Sequence, residues 1–233
     1  MNNPDNRLAA VNSFYELLEV LKHRNGVRHL CECHGRMPWP QRGVYFFFEE
    51  GESRSTGGGE SRVVRVGTHA VSSGSSTTLW QRLSQHRGSS SLGGNHRGSI
   101  FRLLVGQALA ARYPALATAA WGRGQSAPKN IREAEQELEM EVSRHIGAMP
   151  FTWLALDDAP SKTSQRAYIE RNCIALLSNA RHESLDPPSR MWLGNHCLHP
   201  DVRRSGLWNC RHVDEEYDPG FLGEFERQVG NRS

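Results

Sequence analysis

The sequence predicts an α+β domain, and three observations point to it. Two β-rich runs, "GVYFFFEE" starting at Gly43 and "SRVVRVG" ending at Gly67, flank the polar, glycine-rich loop "GESRSTGGGES". Strands this close in sequence pair antiparallel as a hairpin. A third β-rich run, "FTWLALDDA" from Phe151, lies far downstream. Helical stripes stand before, between and after these strands, without the regular strand–helix alternation of a parallel sheet.

Each element has a local reason. Leu8, Val11, Phe14, Leu17, Leu18 and Leu21 repeat at helical spacing, and Asn25-Gly26 supplies a stop. "MPWPQRG" cannot extend that helix, because Pro38 and Pro40 both lack the backbone donor a helix needs. Beyond the hairpin, Thr77 or Thr78 is an N-cap for a helix carrying Leu79, Trp80 and Leu83. "IFRLLVGQALAARY" reads as a mostly buried helix. "IREAEQELEMEVSRHIG" reads as a helix with a solvated glutamate face; a partner-binding face around Glu137 is the alternative. After the third strand, Ser161 or Thr163 would cap a helix whose core face is Ile169, Cys173, Leu176 and Leu177. The tail "DEEYDPGFLGEFERQVG" suggests a last short helix.

Side chains alternate along a strand, so Val63, Arg65 and Gly67 should share one face, and Val64 and Val66 the other. The two valines make the second set the core face. Arg65 is then expected on the same surface as Tyr45 and Arg82, beside a Gly67 whose missing side chain would admit a phosphate.

The chain has 233 residues and 37% hydrophobic content, enough for one compact domain with terminal additions. No apolar run reaches the length of a membrane span, and the N-terminus lacks the layout of a signal peptide. A soluble, cytoplasmic protein with no membrane partner is the expectation. The net charge of +3 does not announce a nucleic-acid binder. Only Lys22, Lys129 and Lys162 are lysines among the 28 basic residues. Arginine suits bidentate phosphate contacts, although a GC-rich genome explains the bias more simply. Five cysteines are an odd number without an export signal, which argues against a disulfide framework. "HLCECH", "NHCLHP" and "NCRH" could meet around zinc, but the C-x-C spacing is uncommon in zinc sites and ordinary thiols are favoured.

Arg82 and His86 are four apart in a predicted helix and point to one side. Tyr45 lies on the adjoining strand, and Glu170 on the helix after the third strand. A carboxylate binds a hard cation, and a cation with a fixed arginine neutralises a phosphorane-like transition state. A tyrosine or histidine moves protons or positions water. Together these residues suit phosphodiester hydrolysis. Each alone has a plainer reading as a core aromatic or a helix-surface residue.

"GVY" (Gly43 to Tyr45), "RVG" (Arg65 to Gly67), Arg82 with His86, and Glu170 within "AYIERNCIALL" together resemble the GIY-YIG endonuclease pattern. The resemblance covers roughly residues 42–196. It implies a small three-stranded antiparallel sheet flanked by helices, with a helical insertion over 88–150 and helical additions at 1–41 and 197–233. It also implies one divalent metal, Mg²⁺ or Mn²⁺, and a DNA substrate. Tyr45 would activate or position water, Arg82 would hold the scissile phosphate, and Glu170 would bind the metal. His86 would assist proton transfer or hold Tyr45. The asparagine the family carries after the glutamate helix would be Asn195, with Asn179 as the alternative.

The second tyrosine of the family motif is replaced by Arg65, which stays protonated and cannot accept a proton. Arg65 would then clamp phosphate, with His69 supplying the lost proton chemistry. His96, Arg97 and Arg102 could track a nucleic-acid backbone; the alternative is a basic loop packing beside the acidic helix. A catalytically weak or inactive nucleic-acid-binding member is the second functional expectation. No DNA-reading module is visible, so target choice would come from the insertion, a homodimer or a partner protein.

Overall fold

The structure, a computed structural model, describes residues 4–231. The elements are α1 (Pro4–Asn25), β1 (Arg28–His29), β2 (Gly43–Ser53), β3 (Ser61–Gly67), α2 (Leu79–Arg87), α3 (Ile100–Arg112), α4 (Lys129–Ala134), α5 (Gln136–Gly147), β4 (Pro150–Ala155), α6 (Gln165–Leu177), α7 (Pro200–Ser205) and α8 (Phe221–Gly230). The sheet has the order β1-β4-β2-β3, and every pairing is antiparallel. It is a four-stranded sheet, where three strands were expected. The extra strand is the two-residue β1, which pairs with Phe151 and Pro150 at the edge of β4. A pair that short has no periodicity for a sequence to display.

β2 is central because its aromatic residues alternate into two cores. Val44, Phe46 and Phe48 face a cluster with α1, α6 and α8. Tyr45 and Phe47 face a second cluster with α2, α3, α5, Trp192 and Trp208. Phe14 of α1, Phe46 of β2 and Phe225 of α8 meet ring to ring, with centroid separations of 5.8 Å for Phe14–Phe46 and 5.4 Å for Phe14–Phe225. The segments expected as terminal additions are therefore packed as parts of the core.

β3 departs from simple alternation. Phe47 is opposite Arg65, but Phe48 is opposite Val63, so Val64 is an extra residue, a β-bulge. The bulge turns Val63 to the first core beside Val66 and leaves Val64 in the second. The expected pairing of Val64 with Val66 on one face is corrected accordingly, while Arg65 stays on the Tyr45 side. The outer edge of β3 is covered by the C-terminal segment. Trp208 N–H donates to Val64 O at 2.7 Å, and the Asn209 amide pairs with both backbone groups of Val66. That pairing removes an open sheet edge.

The acidic helix is broken at Glu135 into α4 and α5, and it is not simply solvated. Glu135 and Glu139 are buried, whereas Glu133 and Glu137 remain exposed. Glu135 takes both Nη atoms of Arg97 at 2.7 Å, and Glu139 pairs with Arg102 and His96. The insertion is thus a basic loop packed against an acidic helix.

Candidate active site

Tyr45 lies on β2 opposite Gly67 of β3 and Trp153 of β4. Its ring crosses the glycine: a Cβ at Gly67 would overlap the ring and hydroxyl of Tyr45. The space at Gly67 was expected to admit a phosphate; it is filled by Tyr45 instead. The Tyr45 hydroxyl is 2.8 Å from His86 Nε2, and His86 Nδ1 is 2.8 Å from Ser99 Oγ. His86 is fully enclosed. Burial, reinforced by Arg82, Arg65 and Arg102, holds its pKa well below the ordinary value, so the ring is neutral. A neutral imidazole has one N–H and one lone pair. It can accept from Tyr45 at Nε2 while donating from Nδ1 to Ser99.

α2 places Arg82 one turn before His86. Its start is fixed by Thr78, whose hydroxyl accepts from Gln81 N–H at 3.1 Å while Gln81 Oε1 accepts from Thr78 N–H at 2.8 Å. Arg82 is half-buried, and Nη1 donates to Gln85 Oε1 and Gly98 O, leaving its other donors for a ligand. Glu170 comes from the middle of α6, whose N-cap is Ser164 rather than either residue expected. Its Oε1 accepts from Thr68 N–H at 2.9 Å, just past the end of β3. Desolvation raises the Glu170 pKa, opposed by the Thr68 N–H and by Arg65, His212 and Arg82.

These residues border one cleft of about 710 Å³. Tyr45, Arg65, Arg82 and Glu170 all line it. Its other charged walls are Arg97, Lys162, Arg171 and Arg211, with His212 beside them. Among the described residues that line it, Glu170 is the single carboxylate. A site with this balance of charge attracts an anion.

A GIY-YIG domain family model matches residues 5–233, nearly the whole chain. The chain belongs to the GIY-YIG family. No curated protein and no solved structure matches it significantly. The GIY-YIG assignment agrees with the α+β architecture and its small antiparallel sheet. No helix among the described residues is long and apolar enough to cross a membrane.

The GIY-YIG pattern named further residues, and the structure places them variously. Arg65 reaches the cleft as expected, but it is buried: Nη1 donates to Trp208 O, the guanidinium lies 4.6 Å from the Phe101 ring centre, and Tyr45 is against it. Arg97 lines the cleft while bound bidentate to Glu135. Arg102 is corrected to an internal brace, fully enclosed by Glu139, Ser143 and His86 O, with no path to a substrate. Asn195 is corrected too: it donates to Ser189 O and Arg190 O and does not line the cleft. Asn179 binds Asp186 O instead. His69 is buried outside the cleft lining, its ring nitrogens without hydrogen-bond partners among the described residues. Burial, then Arg166, pushes its pKa down to about 4, so it is a neutral internal residue rather than the proton carrier expected.

Sequence reasoning missed Asn209 and His212, which both line the cleft. Asn209 lies beyond the glutamate helix, separated from it by a long connection that includes α7, so no local spacing ties it to Glu170. His212 was noticed only as part of a cysteine–histidine cluster. The five cysteines are free thiols, and among the described residues no group of three His, Cys, Asp or Glu converges on a metal.

The GIY-YIG family implies a divalent metal, and Glu170 suits it. One oxygen is fixed by Thr68 N–H, and the other has no hydrogen-bond partner among the described residues. Mg²⁺ commonly takes one or two carboxylates and completes its shell with water and phosphate oxygens. A lone cleft carboxylate among cations fits that habit.

Proposed function

We propose that this GIY-YIG protein is a divalent-metal-dependent DNA endonuclease that hydrolyses phosphodiester bonds. The observation that carries the proposal is the cleft, in which six arginine and lysine side chains surround Glu170 beside the Tyr45–His86 pair. Glu170 would hold Mg²⁺ or Mn²⁺, which would supply Lewis-acid stabilisation of charge on the phosphate. The chain's own groups do the rest. Arg82 holds a non-bridging phosphate oxygen and favours the transition state, where that oxygen gains charge. Tyr45 donates to neutral His86 and turns its oxygen lone pairs toward the attacking water. The water's proton passes to Tyr45 as the phenolic proton moves to His86 Nε2, and Ser99 Oγ keeps the ring in register. Arg65 forms part of the cleft floor as a fixed positive charge.

Arg65 in place of the second motif tyrosine supports a second reading, a weakly active or inactive member that binds nucleic acid. Nicking of supercoiled plasmid DNA separates the two. The wild type should nick in Mn²⁺ or Mg²⁺ and stop in EDTA. Arg82→Ala should lose about a hundredfold or more in rate, with an unchanged melting temperature. Binding without any nicking would favour the second reading. Equal nicking by wild type and Arg82→Ala would put the chemistry elsewhere.

A further inference from the structure

His212 lines the same cleft as Arg82 and follows Cys210 and Arg211 on the C-terminal segment that covers β3. Three features distinguish it. Its backbone is left-handed, with φ 63°, a conformation uncommon outside glycine but one that histidine tolerates better than most residues. Its Nδ1 lies 2.7 Å from Glu215 Oε1. Its Nε2 has no hydrogen-bond partner among the described residues, and the ring lines the same cleft as Glu170. Glu215 is itself held, since Oε2 accepts from Arg171 Nε. The flanking acids are tied down as well, Asp214 by Arg204 at 3.0 Å and Glu216 by Arg181 at 2.9 Å. A carboxylate on one ring nitrogen fixes the ring and aims the other nitrogen outward.

We propose that His212 is a further catalytic residue, the general acid that protonates the oxygen leaving phosphorus, and that Glu215 is its positioning residue. This role rests on the phosphodiesterase function proposed above. It gives the cleft two proton groups with separate tasks. On one side, water loses a proton to the Tyr45–His86 pair as its oxygen bonds to phosphorus. On the other, the bond from phosphorus to the sugar oxygen breaks, and that oxygen takes the proton from His212 Nε2. Both groups exchange with solvent before the next turnover, and no electron is gained or lost.

The test compares two duplexes containing a site that the wild type cuts, one with the natural leaving oxygen and one with bridging sulfur there. A thiolate leaves without protonation, so a general acid matters little for it. His212→Asn keeps a residue that tolerates the left-handed backbone. It should cut the oxygen substrate about a hundredfold more slowly, and its sulfur-to-oxygen rate ratio should rise at least about tenfold over wild type. Glu215→Gln, at a partly exposed position, should shift the ratio in the same direction by less. Tyr45→Phe should slow both substrates and leave the ratio unchanged. A ratio unchanged or lowered in His212→Asn overturns the general-acid role while leaving the nuclease function standing. A wild type that cuts no DNA under any metal overturns both.

Discussion

Tyr45 and Gly67 compete for one volume, and the site exists because glycine gives way. The Tyr45 hydroxyl reaches His86 only because its ring lies across the bare backbone of residue 67. Gly67→Ala should displace the ring, cost about 1–3 kcal/mol of stability, and remove most cleavage. Urea unfolding and plasmid nicking measure the two effects. The same pair shows what single residues reveal in sequence. Gly43, Tyr45 and Gly67 were visible as motif positions, but whether Gly67 served the ligand or a neighbour depended on a cross-strand contact. Arg65 was correctly placed on the Tyr45 side, because strand alternation holds from Gly67 back to Arg65. It fails one residue earlier, at the Val64 bulge, which no local signal marks.

Elements with strong periodicity and capping chemistry were legible: α1, α2 with its Thr78 cap, α6, and the β2–β3 hairpin. The glutamate-rich stretch was less so, because burial of Glu135 and Glu139 depends on Arg97 of the preceding loop and Arg102 of α3, 38 and 37 positions earlier. Arg102 of α3 is fully enclosed, and Glu139 of α5 provides its carboxylate, with Nε at 3.0 Å from Oε2. His96 bonds the other oxygen at 2.9 Å and stacks on Trp121 with centroids 3.8 Å apart. This brace sets the level of Ser99 and His86, since Arg102 also donates to His86 O at 2.9 Å. Glu139→Gln leaves a buried guanidinium without its countercharge. It should lower stability by about 3–5 kcal/mol, readable as a shifted urea midpoint. The site lies a step away from these groups, so the loss of activity should follow the loss of fold.

At the scale of the molecule, the cleft joins parts of the chain that share no local sequence signal. β2 gives Tyr45, β3 gives Arg65, α2 gives Arg82, α6 gives Glu170, and the segment after α7 gives Asn209 and His212. The first four could be aligned with a known pattern. The last two required the C-terminal chain to return along β3, a pairing between residues more than 140 positions apart. The terminal helices close the opposite core through Phe14 and Phe225, which explains why the family match extends over residues 5–233 rather than the central segment alone. We expect this cleft to work around a divalent ion at Glu170. A crystal soaked in Mn²⁺ and measured for anomalous scattering tests it directly. The expected result is a peak beside the free Glu170 oxygen, absent in Glu170→Gln. A crystal with no peak there, or with the same peak in Glu170→Gln, would contradict it.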